Sequence, residues 1–284
     1  MNLSELVSMR GFDISKKIKL VRHQDPNYNT HSLYKSGMLD FYQSLQSNDV
    51  FGNCEYILSF LGYERTKAIY IGAYKLNGKS MFDKQVSYVP VDYPYKEILN
   101  HPLIQYDLTR IALLDDLINR LVIDWGNATR SWYQWLNNEA PKHVIEILPK
   151  GYVKDFQGFD EVILTFDELY TIIINPDPNR IWHTMLSSVA GIYLITDFAD
   201  ANQYIGSASG NLGILGRWKE YAASVHGGNA KLISILKENP NRYKQFQYSI
   251  LRTLPKSLTR AEVVAHEQKY KQKLGTRAFG LNGN

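Results

Sequence analysis

Gly191-Ile192-Tyr193 is followed, after ten residues, by Tyr204-Ile205-Gly206. Each triplet combines a glycine, an isoleucine and a tyrosine in a run that favours extended backbone, and a polar stretch rich in turn formers separates them. The pattern predicts a β-hairpin with strands over 189–195 and 203–206 and a loop over 197–202. A hairpin of this kind holds two phenol groups side by side.

The residues that follow supply complementary charge. Over 212–225, Ile214, Trp218, Tyr221 and Val225 recur at helical spacing, which places Arg217 at the edge of the buried stripe, able to reach inward with its head still wet. A second helix opens at Thr259-Arg260-Ala261-Glu262, a capping-box pattern that gives Glu262 a structural task. On that helix Val263, Glu267, Tyr270 and Leu274 stack, so Glu267 falls on an apolar face. A carboxylate there needs a partner, either a metal ion or a buried cation such as Arg217 or a lysine.

These positions resemble the GIY-YIG nuclease family across 189–284. The resemblance rests on Tyr193, Tyr204, Arg217 within 216–221, and Glu267 within 266–270. It extends to Lys231-Leu232 after His226-Gly227-Gly228-Asn229, the segment 247–251 and the closing Gly280-Leu281-Asn282. Tyr221 stands where some members have histidine, and Gly216 and Ser207 stand where others have lysine. A lone motif would not carry this weight, since Tyr70-Ile71-Gly72 also spells one half of it.

The resemblance implies a small α+β domain on a three-stranded antiparallel sheet, acting on double-stranded DNA with Mg²⁺ or Mn²⁺ held by Glu267. Arg217 would neutralise charge developing on phosphorus, while the metal acts as Lewis acid. One tyrosine, favoured as Tyr193, would activate water and the other would position water or phosphate, with the reverse assignment also open. A phenol is a weak base at neutral pH unless nearby positive charge lowers its pKa. Tyr221, His226, Asn229, Lys231 and Asn282 complete the expected catalytic and substrate-binding set.

Charge distribution agrees with a polyanionic partner for this part of the chain. Residues 191–284 carry 13 Lys+Arg against 6 Asp+Glu, whereas the first 190 residues carry 19 against 22. The single cysteine, Cys54, excludes an intramolecular disulfide and fits a reducing compartment, and no apolar run is long enough to span a bilayer. A cytoplasmic location is the expectation.

Upstream, the Asn175-Pro176-Asp177-Pro178-Asn179 punctuation predicts a junction between domains at 1–180 and 181–284, with 180–188 as a short helix or linker. The first domain reads as mixed α+β with a twisted or barrel-like sheet. Strands are expected at 56–61, 67–74, 120–125 and 143–148, a turn at Asn77-Gly78, and helices at 107–119 and 37–46. A cutting module of this size has little surface for selecting a site, so selection falls to the first domain. There Trp125 and Trp132 belong to an aromatic cluster able to cage an extruded base or simply to pack as core. The expected activity is a restriction or defence endonuclease, with a homodimer as one route to cutting both strands. A repair or mobile-element nuclease shares the chemistry, and a catalytically idle DNA-binding or interaction module is the alternative class.

Overall fold

Asn2, Thr165 and Thr259 each cap a helix reciprocally with a glutamate three residues on, at Glu5, Glu168 and Glu262. Each box satisfies amides that a helix terminus leaves unpaired. The computed structural model describes residues 1–127, 131–137 and 139–283, which divide into compact units at Met1–Leu148 and Pro149–Asn284.

In the first unit, helix α1 (Leu3–Met9) precedes β1 (Ile18–His23), every residue of which is buried. β1 runs parallel to β3 (Tyr56–Gly62), and a parallel pair needs a crossover. That crossover carries α2 (Thr30–Lys35), α3 (Leu39–Ser44) and the short β2 (Leu45–Gln46). β4 (Lys67–Met81) pairs antiparallel with β3 and is long enough to serve two further partners. Its start pairs with β6 (Leu121–Asp124), and its later part pairs with β5 (Ile104–Ile111). β7 (Tyr133–Trp135) pairs with β1 at one edge, and β8 (Val144–Ile147) pairs with β6. The sheet curls as a half-barrel.

The strands expected at 56–61, 67–74, 120–125 and 143–148 are present, but two local expectations fail. Asn77-Gly78 makes no hairpin turn. β4 continues through it with a bulge between Leu76 and Gly78, because the partner strand β5 arrives from later in the chain. Residues 107–119 are not one helix: they finish β5 and then form a 3₁₀ segment at Ala112–Leu117, pairing with β4 having overridden the helical spacing. Trp125 is fully buried in the core formed by Leu20, Leu58, Phe60 and Tyr70, and its indole N–H donates to the Ser131 carbonyl at 2.9 Å. It cannot cage a base.

In the second unit, the sheet order is β11-β10-β12-β9. β10 (Ala190–Asp197) and β11 (Asn202–Ala208) are the expected hairpin, and β12 (Phe246–Leu254) pairs with the other side of β10. β9 (Ile163–Thr165) adds a fourth strand to the three that the sequence implies, along the free edge of β12. Helix α4 (Phe166–Ile174) follows it, then α5 (Arg180–Ser188). Leu164, Phe166, Leu169, Trp182 and Leu186 share one core with Tyr193, Ile195 and Trp218. The 175–179 segment is therefore a turn between two helices of this unit, and the division falls upstream, at Leu148/Pro149. The remaining helices are α6 (Gly213–Ser224), α7 (Ala230–Glu238), α8 (Arg260–Lys273) and α9 (Thr276–Phe279). Among the described residues no helix is long and apolar enough to cross a membrane.

Candidate active site

The hairpin register explains the motif glycines. Tyr193 on β10 lies opposite Gly206 on β11, and a side chain at Gly206 would stand 2.8 Å from Tyr193 Cε2 and closer still to Cζ and Oη. The absent side chain leaves the space that the phenol fills. Gly191 is equally confined, since a Cβ there would meet the Arg252 carbonyl oxygen at 2.7 Å.

Helix α6 crosses this hairpin with Ile214, Trp218 and Tyr221 buried. Arg217, on the same helix, donates from Nε to Tyr193 Oη at 3.1 Å and from Nη2 to Tyr221 Oη at 3.4 Å, with its guanidinium 4.9 Å from the centre of the Tyr221 ring. The two phenol oxygens are 3.2 Å apart and hydrogen-bonded. Nη1 of Arg217 pairs with Glu220 one turn on. Burial pushes the Tyr193 and Tyr221 phenols well above the ordinary tyrosine value; the Arg217 charge acts in the opposite direction but is the smaller influence at both. Both rings are fully buried, and Tyr204 is only partly so.

Glu267 comes from α8, and its surroundings differ from a simple apolar stripe. Val263 is buried as expected, but Leu274 lies past the last turn of the helix and is exposed. Lys271, four residues after Glu267, is buried with its Nζ 2.7 Å from Glu267 Oε1, while Ser207 Oγ donates to Oε2. The buried cation is thus a lysine one helical turn away. Glu267 leading Lys271 by four is a favourable helix pair that the sequence spells out. What the sequence hides is the lysine's burial.

Tyr193, Tyr204, Arg217 and Glu267 all line one cavity of about 630 Å³, together with Ser207, Glu220 and Arg260. Spacing along the chain did not single out these last three. The other expected residues have local structural tasks. Asn229 caps α7 by accepting from Leu232 N–H at 2.9 Å, and Lys231 donates to the Gly280 carbonyl at 2.9 Å. His226 accepts from Gly228 N–H through Nδ1 at 2.9 Å. Asn282 is buried and bonds both backbone groups of Ile205, accepting from its N–H at 3.0 Å and donating to its carbonyl at 2.8 Å. It clamps β11 immediately beside Tyr204.

No protein-family model matches the chain, and no curated protein matches it. Among solved structures it is similar to a point mutant of the catalytic domain of intron endonuclease I-TevI, at 22% identity and a TM-score of 0.28, covering 34% of this chain and 94% of that one. A second structure of the catalytic domain of homing endonuclease I-TevI gives 23% identity and a TM-score of 0.27, covering 33% and 96%.

Proposed function

We propose that residues 149–284 form a DNA endonuclease that hydrolyses phosphodiester bonds with a divalent metal ion bound through Glu267. The observation that carries this is the convergence of Tyr193, Tyr204, Arg217 and Glu267 on one cavity from a hairpin and two helices. Two phenols, a guanidinium and a carboxylate are the groups needed to orient water, neutralise a phosphorane and hold a cation.

The donor set fits Mg²⁺. A carboxylate offers about four lone-pair positions, of which Ser207 and Lys271 take one each, and Mg²⁺ keeps several waters while binding one or two carboxylates. Bound there, the ion would supply Lewis acidity toward a phosphate oxygen. Arg217, anchored by two phenol oxygens, presents its guanidinium to the phosphate. Tyr193, buried and with a raised pKa, keeps its proton and serves as a fixed hydrogen-bonding group. Tyr204, partly exposed at the same cavity, takes the place facing water. One such site cuts one strand, so a duplex break takes two visits or two copies.

Selection of the target belongs, in this proposal, to residues 1–148, which makes the whole chain a site-selective restriction or defence nuclease. The test is cleavage of duplex DNA by the full chain with and without Mg²⁺. Cutting that requires the metal and is lost in Glu267→Ala and Arg217→Ala is expected. Equal traces for wild type and Glu267→Ala across plain and cytosine-modified duplexes would overturn it.

A further inference from the structure

The first unit holds a cavity of about 480 Å³ between the end of β1, the 24–30 loop, the α3–β2 corner and Trp132. Among its lining residues His23, Tyr42 and Trp132 are aromatic. Tyr42 packs against His23 and Tyr28 at ring separations of 6.3 and 5.9 Å, and Trp132 is braced edge-on by Phe51 at 6.1 Å and Tyr133 at 4.9 Å. The Asp25 carboxylate, which accepts from Tyr42 Oη at 3.1 Å, and Gln46 line the same cavity. His23, at one wall, has an imidazole that is buried and held neutral at physiological pH.

Behind the wall the polar groups are unevenly satisfied. Gln43, almost fully buried, uses Oε1 for both His23 Nε2, at 2.9 Å, and Ser59 Oγ, and its Nε2 has no partner among the described residues. Turning the amide over would only leave the oxygen unpaired instead. Among the described residues, Nε of Arg22, a buried residue that lines the cavity, is unpartnered as well. A buried polar atom without a hydrogen bond is costly, and both of these lie beneath the cavity surface.

We propose that this cavity receives a single nucleobase, stacked against Tyr42 and Trp132, and that it favours bases with an exocyclic amine, for which Asp25 is the acceptor. Flat π-faces take any base, whereas a carboxylate accepts from an amino group and repels a carbonyl edge. Extracting a base from duplex DNA suits the nuclease reading, on which the choice of DNA as its source rests; a free nucleotide offers the same chemistry. The sequence points at this site through Trp132 alone. His23, Asp25, Tyr42 and Gln43 are distant from it in the chain and carry no motif.

The test measures binding by the full chain in EDTA, so that cleavage plays no part. The probes are a duplex with one unpaired cytosine, the same duplex fully paired, one with an unpaired thymine, and free dCMP. An unpaired base is already partly out of the stack, so the wild type should bind the cytosine bulge at least about tenfold more tightly than the paired duplex. Trp132→Ala should bring that ratio to one, Trp132→Phe should retain it, and Asp25→Asn should erase the preference for cytosine over thymine. Saturable dCMP binding with no preference among duplexes would assign the cavity to free nucleotides. A ratio unchanged in a folded Trp132→Ala, or no binding of any probe, would overturn the proposal. Failure of cleavage with the ratio intact would sink only the nuclease reading.

Discussion

Replacing Gly206 by alanine puts a methyl group where the Tyr193 ring lies. The new carbon would be 2.8 Å from Cε2 and nearer to Cζ and Oη, against a favourable carbon–carbon separation of about 3.5–4.0 Å. Tyr193 has no room to retreat, because its buried ring sits edge-on to Trp218 at 6.4 Å and to Tyr221 at 5.9 Å. Relief must displace the phenol or the strand by roughly an ångström, breaking the bonds from Tyr193 Oη to Arg217 and Tyr221. Overpacking of this kind costs about 1–3 kcal/mol, and each lost hydrogen bond adds about 0.5–1.5 kcal/mol. Urea unfolding of the full chain should therefore show about 2–6 kcal/mol of destabilisation in the second unit. A misplacement of about 1 Å also costs roughly 10²-fold in turnover, read as the single-turnover rate on duplex DNA. Adding Tyr193→Phe removes the atom nearest the methyl, so the double variant should recover part of the stability and none of the activity. Gly206→Ala within about 0.5 kcal/mol of wild type, with cutting unimpaired, would refute the packing account.

Three further outcomes follow from the contacts described above. Asn282→Ala leaves both backbone groups of Ile205 unpaired in a buried strand and should cost about 1–3 kcal/mol, more than the roughly 1 kcal/mol expected for removing the Asn229 cap; thermal melts of the two variants decide it. Lys271→Met strands the Glu267 carboxylate and should destabilise by about 3–5 kcal/mol in EDTA, with Mg²⁺ restoring more stability to this variant than to wild type; equal Mg²⁺ responses would count against a cation site at Glu267. Burial pushes the His23 imidazole down to about 4, so below its unfolded value near 6.5 the unfolded chain gains a proton that the folded chain refuses. Stability contributed there is whole above about pH 6.5 and falls by about 3 kcal/mol on descending to pH 4, a slope that denaturant titrations should find flattened in His23→Gln.

The parts of the fold legible in the sequence are those whose causes lie within one or two turns of chain. Thr259 and Glu262 mark the start of α8, and Ile214, Trp218 and Tyr221 give the buried face of α6. The hairpin is equally local. β9 was not legible, because three residues become a strand only where β12 offers a free edge far along the chain. The same lack of locality misplaced the junction: Pro176 and Pro178 do punctuate the chain, but they separate two helices that share a core. Asn77-Gly78 carries a turn signal that pairing with β5 overrides. Trp125 shows the limit for site residues, since composition alone cannot distinguish a tryptophan buried in a core from one lining a cavity, as Trp132 does.

Two ion pairs of unlike character stand at the candidate site, whose cavity Arg260 also lines. Arg217 and Glu220 meet at the rim, their side chains 25% and 60% exposed, where an ion pair is worth about 0–1 kcal/mol. Lys271 and Glu267 meet beneath it, 2% and 13% exposed, where removing either partner strands a buried charge. On the proposed reading, an arriving phosphate would draw Arg217 from Glu220 at little cost, and the two phenol oxygens would keep the guanidinium aimed as it changes partner. No comparable exchange is open to Glu267. On the proposed reading, a cation bound at Glu267 would share the carboxylate with Lys271 and Ser207. With such a cation the site would carry Lys271, Arg217, Arg260 and the cation against Glu267 and Glu220, an excess of positive charge suited to a phosphodiester, built on a helix whose sequence shows only a glutamate with a lysine four residues behind it.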